Sequence, residues 1–223
     1  MAIVTFILGH SGSGKSYSLR NLNPEQTALI NVIGKPLPFR GKFKGMTSDN
    51  SEHICRTLPK VKSPVIVIDD FQYIMANEFM RRSHEKGYDK FNDIGRNAWD
   101  ILNVATSLPA DKRVYILSHT QENESGRTSI KTIGKMLDDK ITPEGMVTIV
   151  LRTQVIDGKY RFVTQNNGND TTKSPAGMFA ETLIDNDLAA VDAAVCDYYG
   201  LNEPEAKPED QPKAQPEQPG DAA

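Results

Sequence analysis

The residues that most clearly suggest chemistry form one run, Gly9-His10-Ser11-Gly12-Ser13-Gly14-Lys15-Ser16, which reads G-x-x-x-x-G-K-S. This spacing is typical of a loop whose backbone N–H groups point inward at a phosphate chain, with a helix beginning directly after it. Gly9, Gly12 and Gly14 are expected to let the backbone take positive φ and approach the phosphates closely. The apolar residues before the loop predict a buried strand that leads into it.

The polar side chains of this loop have separate expected tasks in a site for a nucleoside triphosphate. Lys15 is expected to reach the β- and γ-phosphates and to act in catalysis, and the Ser16 hydroxyl is expected to ligate Mg²⁺. His10 occupies a position that tolerates many side chains, so it is assigned no chemistry of its own. We therefore predict a nucleotide site made of residues 9–16 and of Tyr17, which follows the motif directly.

Two neighbouring carboxylates follow a second apolar run. Val65-Ile66-Val67-Ile68 is rich in β-branched residues and predicts a buried strand, which ends at Asp69-Asp70. In enzymes with this type of loop, the strand beside the loop ends in an acid that binds Mg²⁺ or its water shell. Asp69 is therefore the predicted metal-side carboxylate, and Asp70 is predicted to orient the attacking water. Glu78, further along the chain, is a weaker rival base.

A histidine follows the next predicted strand. Residues 114–117 lead into Ser118-His119-Thr120, and the C-terminal ends of parallel strands form the ligand crevice of such sheets. His119 is the predicted sensor of the γ-phosphate, reporting hydrolysis to the segment that follows. The alternative is a solvent-facing histidine that caps the strand. The sequence holds no N-K-x-D motif of guanine-specific GTPases, which favours ATP or loose base selectivity.

The elements that must position these residues alternate along the chain. Apolar, β-branched runs recur at residues 3–8, 27–32, 65–68, 114–117 and 147–151. Segments with helical periodicity lie between them, most clearly at residues 91–108. This alternation predicts an α/β fold with a mostly parallel central sheet flanked by helices. Asp157-Gly158 predicts a hairpin that turns the last strands antiparallel, and residues 36–45 predict a looped insertion or a small hairpin.

The C-terminal stretch differs in composition from the rest of the 223-residue chain. Residues 203–223 hold five prolines among Glu, Lys, Gln and Ala, and no large apolar residue. Such a stretch cannot bury enough surface to fold, so we predict one domain at residues 1–200 and a disordered tail at residues 201–223. Six acidic and two basic residues give this stretch a net charge of −4, so the body carries about +1 against −3 overall.

Cysteine usage and hydropathy indicate the expected compartment. Cys55 and Cys196 lack metal-ligand spacing and are expected to be reduced thiols. The N-terminus lacks a signal-peptide pattern, and no apolar run approaches the roughly 20 residues of a membrane span. A soluble, cytoplasmic protein with no membrane partner is therefore expected.

Two long polar segments, residues 80–99 and 120–140, are expected to be loops, and they carry basic side chains with aromatic or small residues between them. Basic groups neutralise phosphates and aromatic faces stack on unpaired bases, so single-stranded DNA is a predicted partner. The predicted DNA contacts are Arg81, Arg82, Lys86, Lys90, Arg96, Arg127 and Lys131. The alternative is a solvated helix face, with Phe91 and Trp99 buried and nearby acids diluting the basic character.

Several of these runs together resemble phage-encoded AAA/RecA-like P-loop ATPases, among them remote RecA relatives implicated in single-strand annealing and recombination. The resemblance rests on Gly9–Ser16, Val65–Asp70, Tyr115–His119, residues 162–168 and the run Lys173-Ser174-Pro175-Ala176-Gly177-Met178-Phe179. It covers roughly residues 1–199, and its Walker A and Walker B motifs are shared with a very large superfamily. It implies a RecA-like domain that assembles head to tail, or in a ring, with ATP at the subunit boundary.

The same resemblance implies that a cation from the neighbouring subunit stabilises the γ-phosphate. The candidates are Lys131, Lys135, Lys140 and Lys173, and the sequence leaves the choice open. One departure concerns the second strand. RecA places a catalytic glutamate just after it, whereas here residues 27–32 are followed by Ile33-Gly34-Lys35. Either Asp70 takes over this role or hydrolysis is slow.

The expected function is that of a Mg²⁺-dependent ATPase of phage DNA metabolism in the bacterial cytoplasm. It would bind single-stranded DNA, promote annealing or strand exchange, and work with a single-strand-binding protein or another replication partner. Two alternatives stay open: a P-loop kinase for a small molecule, and a nucleotide-gated adaptor that recruits a partner through its tail.

Overall fold

The computed structural model of the protein describes residues 1–134 and 136–201. The strands are β1 (Ile3–Gly9), β2 (Thr27–Asn31), β3 (Lys44–Met46), β4 (Val65–Asp69), β5 (Arg113–Glu122), β6 (Thr128–Ile130), β7 (Ile149–Ile156), β8 (Lys159–Val163) and β9 (Leu183–Asp185). The α-helices are α1 (Ser51–Thr57), α2 (Gln72–Arg81), α3 (Asp89–Thr106) and α4 (Leu188–Tyr198). Short helical turns lie at Ser16–Asn21, Leu58–Lys60, Met136–Ile141 and Pro143–Met146. The predicted tail from residue 202 onward, and Lys135, lie outside the described residues.

The strands form a mixed sheet in the order β3-β2-β4-β5-β1-β7-β8-β9, and β6 pairs with β5. Every pair from β3 to β7 in this order is parallel, whereas β8 and β9 join antiparallel. The parallel strands all end at one edge of the sheet. The loops that follow β1, β2, β4 and β5 therefore meet there.

Helices cover both faces of the sheet, which explains why its central strands are apolar throughout. Along β1, Phe6 packs with α1, α2 and α3 on one face, and the next residue, Ile7, packs with α4 and the Ser16–Asn21 turn on the other. Both side chains are fully buried. The alternation of strand side chains thus divides the apolar residues between two cores.

The sequence-based prediction of an α/β fold with a mostly parallel sheet is confirmed. Each of the five apolar runs lies in or overlaps a strand, and α3 covers most of the segment predicted to be helical. The hairpin at Asp157-Gly158 joins β7 to β8, with both residues at positive φ, 50° and 74°. Two such residues are what a tight two-residue hairpin turn requires.

Three local expectations differ from the structure. The segment after the glycine-rich loop is a six-residue 3₁₀ turn instead of an α-helix, and it ends at Asn21 shortly before Pro24, which disfavours helix in the preceding residue. Residues 36–45 contain no hairpin, and their end enters the parallel edge strand β3. Residues 80–99 are not a long loop, because the end of α2 and much of α3 lie within them.

None of the helices in the described ranges is both long enough and apolar enough to cross a lipid bilayer.

Candidate nucleotide site

The candidate residues converge at the carboxyl edge of the parallel strands. Gly9 at the end of β1 lies beside His119 of β5, and Asp69 at the end of β4 lies beside Leu117 of β5. A cleft of about 450 Å³ opens there. Its lining residues are Ser11, Gly12, Gly14, Lys15, Ser16, Tyr17, Ile33, Lys35, Pro36, Pro38, Asp70, Tyr73, His119 and Tyr160. This volume is in the usual range for small-molecule sites.

The three glycines of the loop serve different purposes. Gly12 and Gly14 adopt positive φ, 76° and 98°, as predicted. The expectation is wrong for Gly9, whose φ lies outside that region; a Cβ there would lie 1.9 Å from Thr153 Oγ1. Gly9 is therefore required by the close approach of β7, and its conformation does not demand glycine.

The hydroxyls of Ser13 and Thr153 stabilise the conformation of the glycine-rich loop (residues 9–16). Ser13 Oγ donates to the carbonyl of His10 at 2.7 Å and lies 2.5 Å from Thr153 Oγ1. Because the Ser13 hydrogen goes to His10, the single Thr153 hydrogen is shared between Ser13 Oγ and the carbonyl of Leu8, 3.2 Å away, and both hydroxyl-bearing residues are buried. The loop shape is therefore built into the fold by β7. Sequence reasoning missed Thr153, because the link depends on the pairing of β1 with β7.

Lys15 lies folded back over the glycine-rich loop. Its Nζ donates to the carbonyls of Gly9 and His10, both at 2.9 Å, and lies 3.5 Å from His119 Nδ1. Burial lowers the pKa of Lys15, although the charges of nearby acids act to raise it. The Lys15 ammonium is therefore held by two backbone carbonyls beside the cleft.

Asp69 and Asp70 are both buried, and their surroundings shift the pKa values of the two carboxyls in opposite directions. Burial, together with the Asp70 charge, raises the pKa of Asp69 against the opposing influence of Lys35, Ser16 and Lys15. No hydrogen-bond donor in the described part of the chain reaches Asp69 Oδ1. A buried carboxylate oxygen without a donor, close to the Ser16 hydroxyl, fits the oxygen ligands that Mg²⁺ prefers.

Asp70 is held ionised by its neighbours. Burial acts to raise its pKa, but interactions with His119, Lys35 and Lys15 outweigh this and bring the pKa to about 2. Its carboxylate pairs with the Lys35 ammonium on one side, and its Oδ1 lies 3.6 Å from His119 Nε2 on the other. Lys35 was not predicted as a site residue, and its position after β2 was the only signal in the sequence.

The order of the strands around His119 differs from the order expected from the sequence. The sequence predicted the acid-ending strand β4 beside the loop strand β1, but β5 lies between them. His119 consequently sits between Lys15 and Asp70, and its ring packs edge-on against Tyr73 with centroids 5.9 Å apart. The structure thus brings together Lys15, Asp70 and His119, the three predicted catalytic residues.

Two tyrosines form one wall of the cleft. The rings of Tyr17 and Tyr160 have centroids 5.4 Å apart, and the Arg20 guanidinium lies 4.4 Å from the Tyr17 centroid. Tyr160 covers Gly14 so closely that a Cβ at that glycine would lie 2.8 Å from the tyrosine ring. Tyr160 belongs to β8 and was not predicted, because only the β7–β8 hairpin brings it over the loop.

The rival base and the three described candidate trans cations lie elsewhere. Glu78 lies in α2 and accepts from Arg82 and from Asn97 of α3. Lys131 and Lys140 are exposed, and the backbone of Lys173 bridges to Val150 of β7. Among the described residues, none of these groups lines the cleft.

The predicted DNA contacts divide into engaged and exposed side chains. Arg82 pairs with Glu78, Glu85 and Asp93, and the buried Lys90 donates to the carbonyls of Arg82 and Glu85. Arg81 pairs with Asp49, and Arg96 lies 3.9 Å from Asp100. Lys86, Arg127 and Lys131 are exposed. The two most engaged cations, Arg82 and Lys90, have carboxylate or carbonyl partners within the protein.

No known family model matches this chain, and none of the curated proteins is significantly similar to it in sequence.

Proposed function

We propose that this protein is a Mg²⁺-dependent ATPase with a RecA-like P-loop domain, acting in phage DNA recombination or replication in the host cytoplasm. The observation that carries the proposal is the meeting of the glycine-rich loop with Asp70 at one cleft, with the buried Asp69 directly before Asp70 at the end of β4. A loop that presents backbone N–H groups, next to a buried acid with a free oxygen, suits a triphosphate with its metal.

Each residue has a defined part in this proposal. The loop backbone binds the phosphates, and Lys15 turns its ammonium from the carbonyls of Gly9 and His10 toward the β- and γ-phosphates. The Ser16 hydroxyl and the Asp69 carboxylate hold Mg²⁺, which neutralises charge on the phosphate oxygens. Asp70 accepts a hydrogen bond from the attacking water and orients it. With Lys35, Lys15 and His119 beside it, its pKa of about 2 keeps the carboxylate ionised and able to accept such a hydrogen bond.

Single-stranded DNA is the proposed partner, with annealing or strand exchange as the outcome. The support is a continuous connection, because β5 runs on from His119 to pair with β6, and Lys131 N donates to the His119 carbonyl at 2.7 Å. The exposed Lys86, Arg127 and Lys131 are the contacts that this proposal retains. Head-to-tail self-association, with one of the four candidate lysines acting in trans, and a single-strand-binding protein as a further partner belong to the same proposal.

A nucleotide-gated adaptor is the second candidate, favoured by one observation. Lys35 stands where the resemblance implies a catalytic glutamate. Its ammonium pairs with the carboxylate of Asp70, which is proposed to orient water. Slow hydrolysis and partner recruitment through the tail would follow. A P-loop kinase would instead transfer the phosphoryl group to an acceptor.

Steady-state phosphate release from ATP, with and without single-stranded DNA at two salt concentrations, tests the proposal. We expect stimulation by DNA that fades as salt rises, because phosphate contacts release counterions, and no activity in Lys15→Ala. A low rate that ignores DNA would reject the DNA-coupled ATPase. Loss of partner binding after deletion of residues 203–223 would then indicate the adaptor, and labelled product from an acceptor screen would indicate the kinase.

A further inference from the structure

Among the described residues that line the cleft, Lys35 is the lysine that the proposed mechanism does not use. It lies after β2, lines the same cleft as the glycine-rich loop and pairs with the buried Asp70. Its side chain is 38% exposed, whereas Asp70 is 1% exposed. The ammonium therefore sits between the buried carboxylate and the space open to a ligand.

A built turn aims this lysine at the cleft. Asn31 Nδ2 donates to the Lys35 carbonyl at 2.8 Å, and Gly34 N donates to the Asn31 carbonyl at 3.3 Å. Gly34 takes a φ of 67°, which favours glycine. Val32 N donates to the Asp69 carbonyl and fixes the start of the turn against β4. Lys35 is thus positioned by the Asn31 side chain and by the turn that begins where β2 ends beside β4.

The charges at the cleft leave Lys35 free to change partner. Lys15 and Lys35 face Asp69 and Asp70, so two cations balance two acids before any ligand binds. A bound triphosphate brings a far larger negative charge than one carboxylate, and an ammonium is a flexible point charge that phosphate oxygens attract strongly. His119, 3.6 Å from Asp70, remains beside that carboxylate when the lysine moves.

We propose that Lys35 is a phosphate-binding residue supplied in cis, which transfers its ammonium from Asp70 to the terminal phosphate of a bound nucleoside triphosphate. This inference rests on the proposed function, since it concerns the same cleft. The transfer uncovers the Asp70 carboxylate, so the residue that orients water becomes available only when a third phosphate is present. Lys35 thereby distinguishes triphosphate from diphosphate within one subunit.

The test compares the affinities for Mg²⁺–ATP and Mg²⁺–ADP of the full chain and of Lys35→Gln, measured by titration calorimetry. We expect ATP affinity to fall about tenfold or more, and ADP affinity to change by less than about twofold, because only the terminal phosphate loses its partner. Lys35→Arg is expected to keep most of the ATP preference. Lys42→Gln is the matched control, an exposed lysine of the same segment that borders a different cavity.

A second pair of variants separates phosphate binding from simple neutralisation of Asp70. Asp70→Asn and Asp70→Asn/Lys35→Gln differ only in Lys35, in a background where no buried carboxylate needs a partner. We expect the double variant to show the same selective loss of ATP affinity relative to its parent. Equal affinities in this pair, or equal losses for ATP and ADP in Lys35→Gln, would overturn the inference while leaving nucleotide binding intact. A wild-type chain that binds neither nucleotide would instead overturn the proposed function.

Discussion

Gly9→Ala is the most informative perturbation of the glycine-rich loop, because the structure gives a steric reason for this glycine. A Cβ at residue 9 would lie 1.9 Å from Thr153 Oγ1, 2.6 Å from Ser13 Oγ and 3.2 Å from Thr153 Cβ. All three positions belong to buried or closely packed groups at the junction of β1 and β7. The added methyl must therefore push Thr153 away from the loop.

The expected loss of stability follows from the contacts that change. Overpacking of this kind costs about 1–3 kcal/mol, and separating Ser13 from Thr153 removes a hydrogen bond worth about 0.5–1.5 kcal/mol. Replacing glycine lowers the entropy of the unfolded chain and returns only about 0.4–1 kcal/mol. The net destabilisation is therefore about 2–3 kcal/mol, or roughly 1 M in the urea midpoint at a slope of about 2 kcal/mol per M.

Urea unfolding followed by fluorescence of Trp99, the single tryptophan of the chain and packed against the core, measures this change. Thr153 provides matched second-site variants. Thr153→Ala opens the space that the methyl needs and is expected to restore much of the stability of Gly9→Ala. Thr153→Val keeps the shape of the side chain and is expected to restore none. Wild-type stability in Gly9→Ala, or equal rescue by both variants, would refute the steric argument.

Three further predictions concern the site and its support. Asp69→Asn is expected to unfold at a higher urea concentration than the wild type at pH 7, and this difference in urea midpoint is expected to close as pH falls to about 4 and below. The reason is that the pKa of Asp69 is raised in the folded chain, so ionising Asp69 destabilises the folded chain once pH exceeds the pKa of the unfolded chain. A difference in midpoint that widens at low pH would contradict this. His119→Asn is expected to keep ATP binding and lose stimulation of hydrolysis by single-stranded DNA, and retained stimulation would remove the sensor role. Asp192→Ala is expected to destabilise the chain by roughly 3 kcal/mol in urea unfolding, because Asp192 accepts from Arg113 at 2.8 and 3.0 Å and from the buried Tyr115 hydroxyl at 2.7 Å; a loss below about 1 kcal/mol would show that water replaces the carboxylate.

The main strands and α3 were predictable because each carries its own periodicity. The residues of β4 are apolar and β-branched throughout, and Ile94, Ala98, Ile101 and Ala105 recur on one face of α3 and are all buried. Burial on one or both faces of an element leaves this trace in the sequence. The central strands and this helix could therefore be predicted without knowing the rest of the fold.

The contacts that complete the site were not predictable in the same way. The Thr153–Ser13 brace depends on β7 pairing beside β1, and the ion pair of Lys35 with Asp70 depends on β2 lying next to β4. Both contacts join residues far apart in sequence, so no local pattern encodes them. The motif predicts which backbone binds phosphate, whereas the register of the sheet decides which side chains surround it.

Counting basic residues along the chain predicted a DNA-binding segment at residues 80–99, whereas the structure shows some of these residues paired with acids. Arg82 was a candidate for DNA contact, yet Glu78 and Glu85 stand four and three residues away and both pair with it. This spacing on and beside a helix favours such pairs. Counting the acids at these intervals, as well as the bases, would have identified Arg82 as an engaged side chain.

We propose above all that the glycine-rich loop and its two acids form a site for Mg²⁺–ATP. Its most direct test is titration calorimetry of Mg²⁺–ATP into the full chain and into Lys15→Ala, with circular dichroism to establish that the variant is folded. We expect saturable binding at one site per chain, lost in Lys15→Ala and weakened when EDTA removes the metal. A wild-type chain that does not bind, or a folded Lys15→Ala that binds as tightly, would contradict it.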